Sequence, residues 1–442
     1  MSSQDLLEQV LLDGARATGL VDLRFGVEAT ALLKGGEAGD DGVEIEVRHT
    51  ATGVRERLAG KALVAADGAS SFIRNTLGLA LEGDSGLSHL INCYFRADIE
   101  RHIEARKGVV LFISNPRARG VLQPLDARGR WLCQIQVRPE DWTLDTFDPE
   151  KATAWIRDAT GLPELKPEIL SLGLWKLNAT VAERLVQGRI VLCGDAAHQF
   201  PPTGGLGVNT GLQGMHNVMW KLAYWLQGKA DWSLVETYDA ERRAIARRIA
   251  DQSLENSANV GRIQAAAVSG RDSGLSVDQV VAASRRYGNH LGVEFGAAYQ
   301  SPAIVGDGTH PPAVDDTYSD YVPSAVPGCR APHFWLGWPD ARLSSLDLFG
   351  PAFTLLSACS SPAWADAASD ASTSCDVQIV VYELGRPGLA DQGQFAQLYG
   401  VEGDGAVLVR PDGYVAWRHQ SAAGAPELTT ALATILGLRS AS

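Results

Sequence analysis

The chain of 442 residues is 45% hydrophobic and carries 39 basic against 52 acidic side chains, a formal net charge of −13. Such a length holds two or three domains with sizeable cores, and the acidic balance excludes a nucleic-acid backbone or an anionic membrane surface as the natural partner, leaving small molecules. No apolar run is long enough to span a membrane, the start Met1-Ser2-Ser3-Gln4-Asp5 lacks the basic and apolar regions of a signal peptide, and the cytoplasm is the expected location.

Ser3 stands where it can cap a helix whose first turn holds Asp5 and Glu8, and Leu6, Leu7, Val10, Leu11 and Ala15 then recur on one face. Val21 to Leu33 and Val43 to His49 read as strands of a meander around a glycine-rich loop from Gly35 to Gly42. Lys61 to Ala66 is a short buried strand that ends in Asp67-Gly68-Ala69-Ser70-Ser71-Phe72-Ile73-Arg74. A carboxylate at a strand end, a glycine, and then Ser71 and Arg74 on the next turn suit a water-bridged pyrophosphate or its counter-charges, and equally a capped turn before a helix. From Leu87 to Leu177 the pattern alternates, as in Trp131-Leu132-Cys133-Gln134-Ile135-Gln136-Val137, and predicts an antiparallel sheet with one helix, Pro149 to Asp158. Its aromatics, Tyr94, Phe112 and Trp175 among them, read as core before pocket.

The run from Arg189 to Gly211 carries the chemistry. It begins as a buried strand, breaks at Gly194, passes through Pro201, Pro202, Gly204 and Gly205, and enters a long amphipathic segment: strand, loop, helix. Gly194 and Gly205 leave room for the backbone to approach a ligand, Asp195 projects a carboxylate from the strand end, and the helix aims its N-terminus into the same space. A polyol suits the carboxylate and an electron-rich ring edge suits the helix end.

This run closely resembles the second FAD fingerprint of the group A flavoprotein monooxygenases, the para-hydroxybenzoate hydroxylase and phenol hydroxylase superfamily. The DGxxSxxR run at Asp67 resembles another fingerprint of the same family, associated with FAD and with passing NAD(P)H. The resemblance implies that Gly194 and Asp195 hold the ribityl chain of FAD. It also implies that the bend with Pro202, Gly205, Leu206, Gly207, Val208 and Asn209 presents backbone amides to the pyrimidine side of the isoalloxazine. Gln4 looks like the glutamine that faces the ribityl chain in relatives, and Asp67, Gly68 and Arg74 join the cofactor site. A departure stands at Gly214-Met215, where relatives commonly carry Asp-Ala.

Beyond Gly211, Leu212, Met215, Met219, Leu222 and Leu226 follow helical spacing, and Leu234 to Ile249 continues as helix. Arg242 and Arg243, interspersed with Glu236, Asp239 and Glu241, read as a solvated face. A weakly patterned stretch to about Tyr321, with a turn at Gly306-Asp307-Gly308, reads as a linker. The last unit opens near Pro327, has strands near Phe353 to Ser357 and Gln378 to Tyr382, and ends in a β-hairpin about Pro411-Asp412-Gly413. It resembles the thioredoxin-like C-terminal domain of the phenol hydroxylase branch, with packing or a homodimer contact as its role. Cys93, Cys133, Cys193, Cys329, Cys359 and Cys375 form no CxxC pair, so no metal site or dithiol chemistry is expected, only reduced packing cysteines.

The expected fold is thus α/β (α+β). A truncated Rossmann-like FAD-binding domain comes in two parts, 1–84 and 179–262, around an antiparallel-sheet substrate domain, 85–178. A helical or linker region, 263–322, precedes the thioredoxin-like domain, 323–442. An FAD enzyme of this kind should open with a strand, a GxGxxG turn and a helix, and no such unit occurs here. The expectation is that the family's first segment has been cut away, either because the chain starts at an internal methionine of a longer protein or because it is a fragment that has lost the tight FAD site.

By resemblance the activity is that of an FAD- and NAD(P)H-dependent monooxygenase acting on a phenolic or polycyclic, polyketide-like aromatic. NADH or NADPH reduces the flavin, molecular oxygen forms a C4a-hydroperoxyflavin, and its distal oxygen passes to an electron-rich carbon. No catalytic side chain is assigned; His198 is a candidate base for a substrate phenol, with a structural histidine as the simpler reading. A Baeyer–Villiger or epoxidising relative is the close alternative. A flavin-free scaffold or partner subunit is the distant one.

Overall fold

The computed structural model describes residues 3–36, 42–103, 108–126, 128–269, 277–338, 341–358, 362–386, 388–391 and 393–438; most of the glycine-rich loop after Gly35, and Cys359, lie outside the described residues. Helix α1 (Gln4–Ala17) lies on the surface with none of its residues buried. The hydroxyl of Ser3 does not cap it; the Ser3 carbonyl accepts from Leu6 and Leu7, while the hydroxyl accepts from Arg130, which also pairs with Asp5 at 2.6 Å. Strands β1 (Val27–Lys34), β2 (Val43–His49) and β3 (Arg55–Gly60) form the meander, antiparallel in that order. Val21 to Gly26, expected as strand, is irregular, and the third strand escaped the reading because Arg55-Glu56-Arg57 carries no alternation. Strand β4 (Leu63–Ala65) leads through Asp67-Gly68 into the short helix α2 (Phe72–Thr76).

The middle of the chain forms a six-stranded antiparallel sheet from β5 (Leu81–Arg96), β6 (Leu111–Ser114), β7 (Arg119–Pro124), β8 (Arg130–Val137), β9 (Glu168–Ala182) and, later, a two-residue strand at His198–Gln199. Alternate residues of β8, Trp131, Cys133 and Ile135, face a core shared with Ile91, Cys93 and Phe95 of β5, as period-two patterning requires. Helix α3 (Pro149–Thr160) seals this face through Ala152, Trp155 and Ile156. It starts where the Asp148 side chain accepts from the Lys151 amide and ends at Gly161 in the left-handed region. The opposite face of the sheet is left for the site.

The chain then returns to β4. Strands β10 (Val186–Gln187) and β11 (Ile190–Leu192) extend that small sheet, β11 running parallel to β4 in the register Ile190 to Leu63. Strand β12 (His198–Gln199) rejoins the large sheet beside β9. Helices α4 (Leu206–Leu226) and α5 (Trp232–Ser269) follow. The stripe predicted for α4 is only partly its buried face: Leu222 is buried and Met215 packs half-buried against the same core, but Leu212, Met219 and Leu226 are exposed, while Leu206, Thr210, Gly214, Asn217, Val218 and Lys221 are buried. Polar residues at helical spacing hid that face. Glu241 and Arg242 on α5 likewise overturn the solvated reading, both being buried, and only Arg243 pairs near the surface with Asp239.

The expected linker is partly the rest of α5, which spans 38 residues, followed by α6 (Val277–Ala283) and α7 (Leu291–Phe295). Asp307 in its turn pairs with Arg418, and the Val305 amide donates to the Ala416 carbonyl, so the stretch is fastened to the C-terminal unit. That unit begins with the hairpin β13 (Trp335–Trp338) and β14 (Ala341–Ser344). Its four-stranded sheet holds β15 (Phe353–Ala358), β16 (Ile379–Leu384), β17 (Ala406–Val409) and β18 (Val415–His419), ordered β16-β15-β17-β18. Helix α8 (Ala363–Cys375) crosses between the parallel pair β15 and β16, α9 (Gln394–Tyr399) precedes β17, and α10 (Leu428–Ile435) closes the chain. This is the thioredoxin-like arrangement, with the predicted hairpin at β17 and β18. Trp220 and Tyr224 of α4 enter its core beside Phe353 and Trp364.

Candidate cofactor cleft and adjoining cavity

Strand β11 ends at Leu192, and after Cys193 the chain is turned at Gly194, at φ 57°, into a single tight turn that leaves Asp195 on a cleft of about 850 Å³. Gly205, at φ 70°, then starts α4 as its cap without a side chain to satisfy the first amides, and the first turn holds no acidic residue. A Cβ added to Gly194, Gly205 or Gly207 would meet nothing within 4 Å, whereas one on Gly211 would lie 3.9 Å from Gly194 Cα. The turn and the helix start are therefore packed against each other, and the space in front of them is open. Unsatisfied amides, a positive helix end and a carboxylate with no ion pair among the described residues suit the pyrimidine edge and the ribityl hydroxyls of a flavin. The surrounding walls raise the Asp195 carboxyl above its ordinary range by desolvation.

The two fingerprint turns open onto the same cleft, since Ala69 and Ser70 line it beside Gly194 and Asp195. Arg74 joins them from behind: its guanidinium donates to the Ala196 carbonyl at 3.1 Å and the Ala69 carbonyl at 3.0 Å. Asp67 accepts from the Ile73 amide at 3.0 Å, and Ser71 accepts from the Arg74 amide at 2.9 Å. Asp67, Gly68 and Arg74 thus build the turn and do not line the cleft. Gln4, Gly194, Asp195, Gly207 and Val208 do line it; Gly205 and Asn209 do not, and the Asn209 side chain donates to the Gly205 carbonyl. The Leu206 side chain turns inward to a core with Ile245 and Ile249.

Three lining residues came from parts of the sequence that gave no signal. Trp142 and Lys176 meet at a cation–π distance of 4.7 Å, and Asn178 donates to the Gln199 side chain at 2.6 Å. They are brought in by β9 and by the loop before α3, and no spacing within the chain foretells that. His198 also faces the cleft, stacked on Phe200 with ring centroids 4.7 Å apart. Burial, and then the positive charge of Arg242, push its imidazole down to about 4, so it is neutral at physiological pH.

Pro202 belongs to a second cavity, of about 340 Å³, between the free face of the large sheet and α5. Leu90, Gln134 and Gln136 face it from the sheet, Leu254 and Ser257 from α5. Pro202 and Thr203 of the bend before α4 complete its wall, and Thr203 is pinned to α5 by its hydroxyl on the Ser253 carbonyl at 2.7 Å. Among the described residues that line it none is charged.

This geometry is that of a flavoprotein monooxygenase, and the chain belongs to that family. The FAD binding domain family matches residues 1–253, and the C-terminal domain of aromatic-ring hydroxylases matches residues 324–438. The chain is 33% identical to tetracenomycin A2 monooxygenase-dioxygenase of Streptomyces glaucescens, over 98% of this chain and 75% of that protein. It is 34% identical to 4-methyl-5-nitrocatechol 5-monooxygenase of a Burkholderia species, over 98% and 78%. Among solved structures, the flavin-dependent monooxygenase PieE in complex with FAD and substrate superposes with a TM-score of 0.88 at 32% identity, covering 99% of this chain and 80% of that one. Aklavinone-11 hydroxylase with FAD and aklavinone gives 0.83 at 30% identity, over 99% and 78%. Among the described residues no helix is long and apolar enough to cross a membrane.

Proposed function

We propose that the protein is an FAD-dependent monooxygenase that uses NADH or NADPH and molecular oxygen to hydroxylate an uncharged phenolic or polycyclic, polyketide-like aromatic. The observation that carries this reading is the pairing of a cleft suited to a flavin with a second cavity that no charged side chain among the described residues lines, Pro202 and Thr203 of the bend before α4 being part of its wall. Bound FAD would supply the redox and oxygen chemistry. The protein's own residues hold and shield. Asp195 and Gln4 accept and donate to the sugar-alcohol chain, and the first amides of α4, from Leu206 to Asn209, face the ring edge. Leu90, Val121 and Leu177 exclude water around the substrate, and Gln134, Gln136 and Ser257 orient its oxygens. His198 contributes a neutral wall. In this reading residues 1–84 and 179–262 carry the cofactor, and the sheet of 85–178 roofs it.

The purified 442-residue chain mixed with FAD tests this directly. Retained yellow flavin bands, followed by NADPH or NADH oxidation stimulated by an uncharged phenol or anthraquinone and a product heavier by one oxygen atom, are expected. A protein that retains no flavin would sink the reading.

A further inference from the structure

Helix α5 carries two successive arginines with opposite fates. Arg243 pairs with Asp239, but Arg242 is only 3% exposed, and its guanidinium is held by uncharged groups. It donates to the Tyr299 hydroxyl at 3.1 Å, to the Thr210 carbonyl at 3.4 Å and to the Gln213 side-chain oxygen at 3.3 Å, while its Nε has no acceptor. No described carboxylate lies within ion-pair distance of it. The neighbouring acids, Glu241 and Asp412, are already matched by Lys221 and Arg410 in one buried cluster, two negative charges against two positive. Among the described residues Arg242 is therefore a buried positive charge without a counter-ion, which folding alone disfavours.

Its position says what it is for. Thr210 lies one turn behind the start of α4, and Val208 and Gly211 of the same turns line the cofactor cleft. In a wall of low dielectric the field of a charge is poorly screened and crosses to the cleft. His198, on the cleft side, already feels it. Tyr299 fixes the guanidinium and is itself stacked on Tyr414 of the C-terminal unit, ring centroids 3.9 Å apart.

We propose that Arg242 is an electrostatic positioning residue of this cofactor site: its uncompensated guanidinium, clamped behind α4 by Tyr299, reinforces the positive helix end and favours negative charge on the ring bound in front of it. This rests on the FAD reading above. A flavin gains such charge on reduction, so the residue raises the preference of the site for reduced over oxidised cofactor.

The test uses the full chain with Arg242→Met, which keeps length and loses charge, and Arg242→Lys, which keeps charge and loses the planar fork. Spectroelectrochemical titration of bound FAD should show about a tenfold loss of preference for the reduced form in R242M, largely restored in R242K. In the cofactor-free protein, NMR titration of His198 should show its pKa rising in R242M. Unchanged flavin midpoint and unchanged His198 titration in a folded R242M would overturn the proposal. If R242M does not fold, Arg242→Gln, which retains a donor, carries the same measurements. Failure of the unsubstituted chain to bind FAD would instead overturn the proposed function, whereas an unchanged His198 titration in a folded R242M would overturn the reach of the Arg242 charge into the cleft whether or not FAD binds.

Discussion

His198 and Asp195 show how one residue's surroundings set its chemistry. The His198 imidazole falls from the ordinary 6.5 to about 4 on folding. Its neutral form is favoured in the folded state, so between these values the unfolded chain binds more protons. Stability is then complete above pH 6.5 and is lost as pH falls towards 4, by up to about 3 kcal/mol. Denaturant melts at pH 7 and pH 4.5 should differ by most of that amount, and His198→Gln should remove this part of the difference. For Asp195 the prediction concerns binding. Asp195→Ala should weaken FAD about 10- to 100-fold, as expected for lost charge-assisted hydrogen bonds, with little change in melting temperature. Fluorescence titration with FAD checks it.

Among the elements, α4 is the one on which the site and the C-terminal unit meet. Its buried face carries Asn217 and Lys221, and these join Glu241 of α5 to Arg410 and Asp412 of the hairpin turn. Lys221 donates to Glu241 at 2.7 Å, Arg410 to both Glu241 oxygens at 2.7 and 2.8 Å, and Asn217 to Glu241 and Asp412. Burial pushes Lys221 down to about 8, with Glu241 opposing the fall, so it remains charged at neutral pH. Removing the shared anion leaves two buried cations with one partner. Glu241→Leu should cost about 3–5 kcal/mol, read as a lower denaturation midpoint. The run containing Glu241 and Arg242 reads as a surface because charge in a sequence does not reveal whether a partner awaits it from 169 residues away.

At the scale of the whole molecule, the sheet, α5 and the bend before α4 enclose a cavity with neutral walls, which predicts discrimination by charge. An uncharged phenol or quinone should stimulate cofactor oxidation, while the matching carboxylate should fail, because a buried anion would find no cation to pair with among the described residues there. Introducing one by Gln136→Arg should bring the carboxylate's KM down towards that of the neutral compound, as steady-state assays with the two would show. The alternation of the large sheet, the β17–β18 hairpin, the carboxylate-bearing bend after β11 and the family resemblance were legible along the chain, because each depends on neighbours within a few residues. Which face of α4 is buried, why Arg242 lacks a counter-ion, and how Trp142, Lys176 and Asn178 reach the cleft were decided only in three dimensions. Burial and pairing are properties of what packs against a residue, and in this fold the packing partners come from segments far apart in the chain.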